Sequence, residues 1–139
     1  MGKVANYVID LLADILGEEP QREVEYPWAL GDLSKKTGRR RQLPFDAVWE
    51  SRRLIVEVDE DQHRRPVKFW DKPDVITVSG VDRGEQRRIY DLRKRAAARE
   101  QGYRVVEIEW ERRPPPDRRD RDADRRRLRE LLSESGVRV

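Results

Sequence analysis

Two neighbouring apolar runs, residues 43–49 and 54–59, constrain the fold of this chain more than any other feature. Each has the length of a β-strand, and only the polar stretch Glu50-Ser51-Arg52-Arg53 separates them. Two such runs joined by a short polar connection are typical of a β-hairpin. A sheet built on this hairpin must bury at least one face against other elements, so helices are expected to cover it.

Helical patterns lie on both sides of the hairpin. Residues 3–16 carry apolar side chains at helical spacing and end at Gly17, and residues 84–101 form a strongly basic helical stretch ending at Gly102. Residues 103–110 alternate apolar and charged side chains, which predicts the last strand of the sheet. The order of these elements predicts an α/β sandwich on a mixed sheet.

The remaining segments carry weaker signals. Residues 23–26 and 75–78 are strand-like, and residues 31–41 are expected to form a basic loop. Pro114-Pro115-Pro116 breaks the chain before residues 117–132, which we expect to form a peripheral, partly mobile helix. These signals predict a main domain over residues 1–112 and a Pro/Arg-rich linker with a C-terminal helix over 113–139.

Composition excludes several classes of protein. The chain has no cysteine and one histidine, which excludes a disulfide framework, a cysteine zinc site and a multi-histidine metal site. No apolar run approaches the roughly 20 residues of a membrane span, and the first helix contains Asp10 and Asp14, unlike a signal peptide. We expect a cytoplasmic protein of a prokaryote or phage, associated with the nucleoid and not with a membrane.

The hairpin places acidic side chains on one face of the sheet. Because side chains alternate along a strand, Glu57 and Asp59 point away from the apolar face, and a tight hairpin brings Asp46 close to Glu57. Like charges at close range repel one another unless a cation neutralises them. Ligands that are only oxygen favour Mg²⁺ or Mn²⁺, and His63, just beyond the strand, is a candidate general acid or base.

At these residues the chain resembles the PD-(D/E)XK nuclease superfamily, and within it the very-short-patch-repair (Vsr)-like endonucleases. The resemblance rests on Asp46, on the strand Ile55-Val56-Glu57-Val58-Asp59, on His63, and on a downstream segment with Asp91, Gly102-Tyr103-Arg104-Val105 and Trp110-Glu111. It covers roughly residues 42–111.

The resemblance implies a restriction-endonuclease-like three-layer sandwich and a Mg²⁺- or Mn²⁺-dependent endodeoxyribonuclease. Asp46, Glu57 and Asp59 would be metal ligands, and His63 and Asp91 would join them in catalysis. Position 59 holds Asp where the superfamily has lysine, so the lysine's role is either absent or taken by Gln62, His63 or Lys68. The chain also lacks the cysteines that hold a structural zinc in the repair enzymes.

Basic segments flank this acidic centre and make DNA the expected partner. Residues 35–53 carry a net charge of +5 and residues 81–104 a net charge of +4, whereas residues 54–63 hold four acids and no base. Basic segments on both sides of an acidic centre suit an enzyme that binds the DNA phosphate backbone with its cations and a metal ion with its carboxylates. The predicted phosphate contacts are Arg40, Arg41, Arg52, Arg53, Arg64, Arg87 and Arg88.

Two other functions stay open at this stage. A nuclease-fold module that binds DNA without cutting it, as a subunit of a larger complex, would explain the missing lysine at position 59. A protein-interaction domain would use the charges only for solubility. A homodimer would suit double-strand cleavage, since two sites related by a two-fold axis reach both strands.

Overall fold

A computed structural model describes residues 1–60, 83–110 and 120–139 of the chain. The helices are α1 (Lys3–Leu16), α2 (Arg83–Glu100) and α3 (Arg121–Glu134). The strands are β1 (Gln21–Val24), β2 (Leu30–Leu33), β3 (Arg40–Gln42), β4 (Phe45–Trp49), β5 (Leu54–Glu60) and β6 (Arg104–Trp110). The predicted strand at 75–78 lies outside the described residues.

The main sheet is mixed, with the strand order β1-β4-β5-β6. Strands β4 and β5 form the predicted antiparallel hairpin, joined by a 3-10 turn at Glu50–Arg52. Strand β6 runs parallel to β5 in continuous register, from the pair Leu54 and Arg104 to the pair Glu60 and Trp110. The parallel pair is connected through α2, as two neighbouring parallel strands require a crossover.

Helices cover both faces of this sheet, so the α/β sandwich is present in its general form. One core cluster joins α1 and α3 to the face of β5 that carries Val56 and Val58. The second cluster lies on the opposite face, around Ile55, Phe45 and Ala98 of α2. Helix α2 therefore lies on the face that also carries Glu57 and Asp59, because these residues share the parity of Ile55.

Two glycines end helices where the sequence predicts. Gly17 follows α1 with φ of 68°, and Gly102 follows α2 with φ of 87°. Both adopt the left-handed conformation that closes a helix at little steric cost. Gly102 thereby turns the chain from α2 directly into β6.

Two segments differ from the sequence predictions. The expected loop at 31–41 contains strands β2 and β3, which pair with each other and form a small arm. Helix α3 is not peripheral, because Leu128 and Leu132 are fully buried against α1 and the sheet. The weak stripe of leucines contributes to the main core although the rest of the helix is highly charged.

Among the described helices, none combines the length and the apolar character that crossing a membrane requires.

Candidate active site

Asp46 and Glu57 lie opposite each other at the point where the β4–β5 ladder stops. The recorded pairs run from Trp49 and Leu54 to Ala47 and Val56, so Asp46 and Glu57 stand next in the antiparallel register. Each carboxylate accepts a hydrogen bond from the other strand's backbone. The N–H of Val58 donates to Asp46 Oδ2 over 2.8 Å, and the N–H of Asp46 donates to Glu57 Oε2 over 3.2 Å. The predicted closeness of these two acids is confirmed.

Lys94 of α2 supplies the cation at this pair. Its Nζ lies 2.6 Å from Glu57 Oε1 and donates a hydrogen bond of 2.8 Å to the carbonyl of Pro44. Both charged side chains are largely buried, with exposed fractions of 13% for Lys94 and 10% for Glu57. A lysine therefore contacts the second acidic residue of the hairpin, but it comes from the helix and not from position 59.

Burial dominates the protonation of Glu57. It raises the pKa of Glu57 from 4.5 to about 7, with the charge of Asp46 acting in the same direction and the charge of Lys94 opposing it. The carboxylate is thus poised to change its charge near neutral pH. A group with this property at a cluster of charges is typical of a functional site, although buried ion pairs within a core show it as well.

Asp91 and Asp59 stand beside the pair. Burial raises the pKa of Asp91, and the charges of Asp59 and Asp46 add to that increase against the opposing charges of Lys94 and Arg95. Arg95 lies 3.9 Å from Asp91 and also pairs with Glu107, the neighbour of Glu57 on β6. Helix α2 therefore places one acid and two cations over an acidic sheet face.

The carboxylates of Asp46 and Glu57 are compatible with a hard divalent cation that takes only two protein ligands. No group of three or more histidine, aspartate or glutamate side chains in residues 1–60, 83–110 and 120–139 is arranged to hold a metal. Mg²⁺, however, usually takes only one or two protein carboxylates, with water and substrate phosphate completing its shell. Asp46 and Glu57 supply these two carboxylates. The negative charge of Asp46 raises the pKa of Glu57, and a bound cation would oppose that effect.

The predicted phosphate contacts fall into two groups. Arg40 and Arg41 lie on β3, within the β2–β3 arm. The arm packs on α2 through Asp32, whose N–H donates to the Tyr90 hydroxyl over 3.2 Å and whose carboxylate lies 2.8 Å from Arg93. Arg87 and Arg88 are exposed on the first half of α2. These four arginines flank the end of the sheet that carries the carboxylates.

Arg52 and Arg53 lie at the other end of β5. Four residues of extended chain, about 13 Å, separate Arg53 from Glu57. The structure therefore does not bring these two arginines to the carboxylates. His63 and Arg64, with Gln62 and Lys68, lie outside the described residues.

Lys94 is a site residue that the sequence did not predict. The available signal was its position three residues after Asp91 on a helix that must cover the Glu57 face of the sheet. A hairpin pattern identifies residues that face each other within the hairpin, whereas a contact from a distant helix depends on how that helix packs.

Comparisons of this chain with models of protein families, with curated proteins and with solved structures give no match.

Proposed function

We propose that this protein is a metal-dependent endonuclease that hydrolyses phosphodiester bonds of DNA, of the PD-(D/E)XK class that its hairpin resembles. The observation that carries the proposal is the cluster of Asp46, Glu57 and Lys94. Two carboxylates meet across a hairpin and a buried lysine reaches one of them within 2.6 Å. Two acids with a lysine would correspond to the residue types that the superfamily combines, and this cluster, with its lysine from α2, supports the proposal.

In this proposal Asp46 and Glu57 would hold Mg²⁺ or Mn²⁺, with Asp59 beside them. The ion held there would supply Lewis-acid chemistry for the hydrolysis of a phosphodiester. Lys94 keeps a positive charge at Glu57 and would stabilise the negative charge that grows on the phosphate in the transition state. Asp91 lies close enough to the cluster for its charge to matter, and His63 remains a candidate proton donor or acceptor.

The substrate would approach over the surface that the β2–β3 arm and the first half of α2 form together. Arg40, Arg41, Arg87 and Arg88 lie on these two elements, at the carboxylate end of the sheet. Cations in this position would hold the phosphate backbone and leave the choice of sequence to other contacts. A homodimer, whose two sites would reach both strands, stays a prediction.

The experiment is cleavage of supercoiled plasmid and of single-stranded and branched DNA in Mg²⁺, in Mn²⁺ and in EDTA. Wild-type protein should cut at least one of these substrates with metal and none in EDTA. Glu57→Gln should lose the activity, whereas the matched control Glu130→Gln, an exposed position on α3, should keep it. Equal rates for the two variants would overturn the proposal.

One observation favours a second candidate, a nuclease-fold module that binds DNA without cutting it. Asp46 and Glu57 each accept a backbone N–H where the ladder stops, and Lys94 already pairs with Glu57. Such contacts would suffice to close the end of a sheet. This candidate predicts salt-dependent DNA binding and intact DNA under every metal condition.

A further inference from the structure

A groove at the opposite end of the sheet from the carboxylates gathers four arginines. It has a volume of about 540 Å³. The turn after β4, the start of β6 and the end of α2 form its walls. The residues that line it are Arg52, Arg53, Arg99, Gly102, Tyr103, Arg104 and Val105.

The backbone holds these arginines together. The N–H of Arg104 donates to the carbonyl of Arg53 over 2.8 Å, where β6 begins to pair beside β5. Gly102 takes its left-handed conformation immediately after α2, and its N–H donates to the carbonyl of Arg99 over 3.0 Å. The short connection from α2 to β6 therefore keeps Arg99 and Arg104 at one site.

Most of the positive charge in the groove faces neutral acceptors. Arg52 donates to the carbonyl of Arg138 over 3.0 Å, and Arg104 donates to the carbonyl of Ser135 over 2.6 Å. Arg53 donates to the carbonyl of Gln101, and its guanidinium carbon lies 3.9 Å from the centroid of the Tyr103 ring. Carbonyl groups fix the direction of a guanidinium but do not cancel its charge.

Within residues 1–60, 83–110 and 120–139, Glu50 is the acid that pairs with this group, 3.6 Å from Arg53. Hydrogen bonds from the hydroxyls of Tyr26 and Tyr103 lower the pKa of Glu50 and occupy its oxygens. In the described part of the chain, four arginines against this one acid leave the groove positive. Guanidinium groups bind phosphate through paired N–H donors.

We propose that this arginine groove binds phosphate groups, as a site separate from the carboxylate cluster. The ligand is either the backbone of a nucleic acid strand or a free phosphate. The volume of the groove exceeds that of a single phosphate, which favours a strand with more than one phosphate group. The proposal does not require cleavage, because no carboxylate of the candidate active site takes part.

The experiment measures binding in EDTA, with a short fluorescein-labelled single-stranded DNA in one arm and inorganic phosphate in the other. The variant is Arg99→Glu, at an exposed residue, and the matched control is Arg126→Glu, an exposed position on α3. Arg99→Glu should weaken binding about tenfold or more relative to the control. Its plot of log affinity against log salt concentration should be less steep by about one unit.

Arg99→Lys keeps the charge but loses the paired donors, so it should bind more tightly than Arg99→Glu and less tightly than wild type. Urea unfolding of Arg99→Glu should match that of wild type, which separates a lost contact from a damaged fold. Binding of the oligonucleotide but not of phosphate identifies a strand as the source, and the reverse identifies a free phosphate. Equal affinities for Arg99→Glu and Arg126→Glu, or no binding of either probe by wild-type protein, would overturn the proposal. Binding is measured in EDTA, where no metal-dependent cleavage takes place, so a failure of the nuclease proposal is distinguishable from a failure of this one.

Discussion

Replacing Lys94 with methionine removes the cation at Glu57 and keeps an apolar stem of similar length. The Nζ atom lies 2.6 Å from Glu57 Oε1 in a largely buried pair. Breaking such a pair commonly costs roughly 3–5 kcal/mol of folding free energy when the remaining group stays ionised without a partner. Glu57 avoids this cost by taking up a proton near neutral pH, because its pKa is raised to about 7.

The penalty therefore depends on pH. The pKa of Glu57 is raised in the folded protein, so its contribution to stability is complete below about pH 4.5 and is lost as the pH rises to about 7. Near pH 6 the carboxyl already carries a proton in wild-type protein, and Lys94→Met adds almost no charge penalty. At about pH 8, above that pKa, ionisation next to Lys94 lowers the free energy of the folded wild-type protein by about 1 kcal/mol relative to its protonated form. Without the charge of Lys94 the pKa of Glu57 rises further, so the carboxyl of the variant stays protonated and does not gain this energy.

Urea unfolding of both proteins at these two pH values measures the difference. The loss of the hydrogen bond to Pro44 contributes equally at both, so the destabilisation by Lys94→Met should grow by about 1 kcal/mol from pH 6 to pH 8. In a Glu57→Gln background the growth should vanish. A destabilisation that is the same at both pH values with Glu57 present would show that the charge of Lys94 does not act on Glu57.

Three further substitutions test the packing of the fold by urea unfolding. Tyr7→Phe removes the hydrogen bond of 2.6 Å to the buried carboxylate of Asp124 and should cost about 2 kcal/mol; a loss below about 0.5 kcal/mol would contradict the role of this bond. Leu128→Ala empties a fully buried position between α3 and α1 and should cost about 2–5 kcal/mol, whereas a helix outside the core would tolerate it. Asp120→Ala removes the side chain that caps α3 by accepting the N–H of Ala123 and should cost about 1 kcal/mol; Asp122→Ala, within the first turn, should cost less, and equal losses would argue against the cap.

The hairpin and its facing acids were predictable because both depend on local rules. Side-chain alternation and a short turn determine that Asp46 and Glu57 meet, and helical spacing with Gly17 and Gly102 determines where α1 and α2 end. These patterns act within a few residues of chain. The elements that these patterns predict therefore depend little on how distant segments pack.

The contacts between distant segments were not predictable in the same way. Lys94 reaches Glu57 because α2 packs on one face of the sheet, and one basic helix offers several cations of similar appearance in sequence. Strands β2 and β3 lie in a charged segment with little apolar alternation, and they pair with each other as a small arm against α2. Leu128 and Leu132 look weak among the arginines of α3, yet spacing of four residues places both on its buried side.

The central claim is that Asp46 and Glu57, with Lys94, form a reaction centre and do more than close the end of a ladder. The most direct measurement compares metal-dependent DNA cleavage by wild-type protein and by Asp46→Asn, with the unfolding free energy of both determined on the same samples. Asparagine retains an oxygen that accepts the N–H of Val58 but removes the charge. The account predicts a folded variant that has lost cleavage in Mg²⁺ and Mn²⁺. Cleavage by Asp46→Asn at the wild-type rate would contradict it.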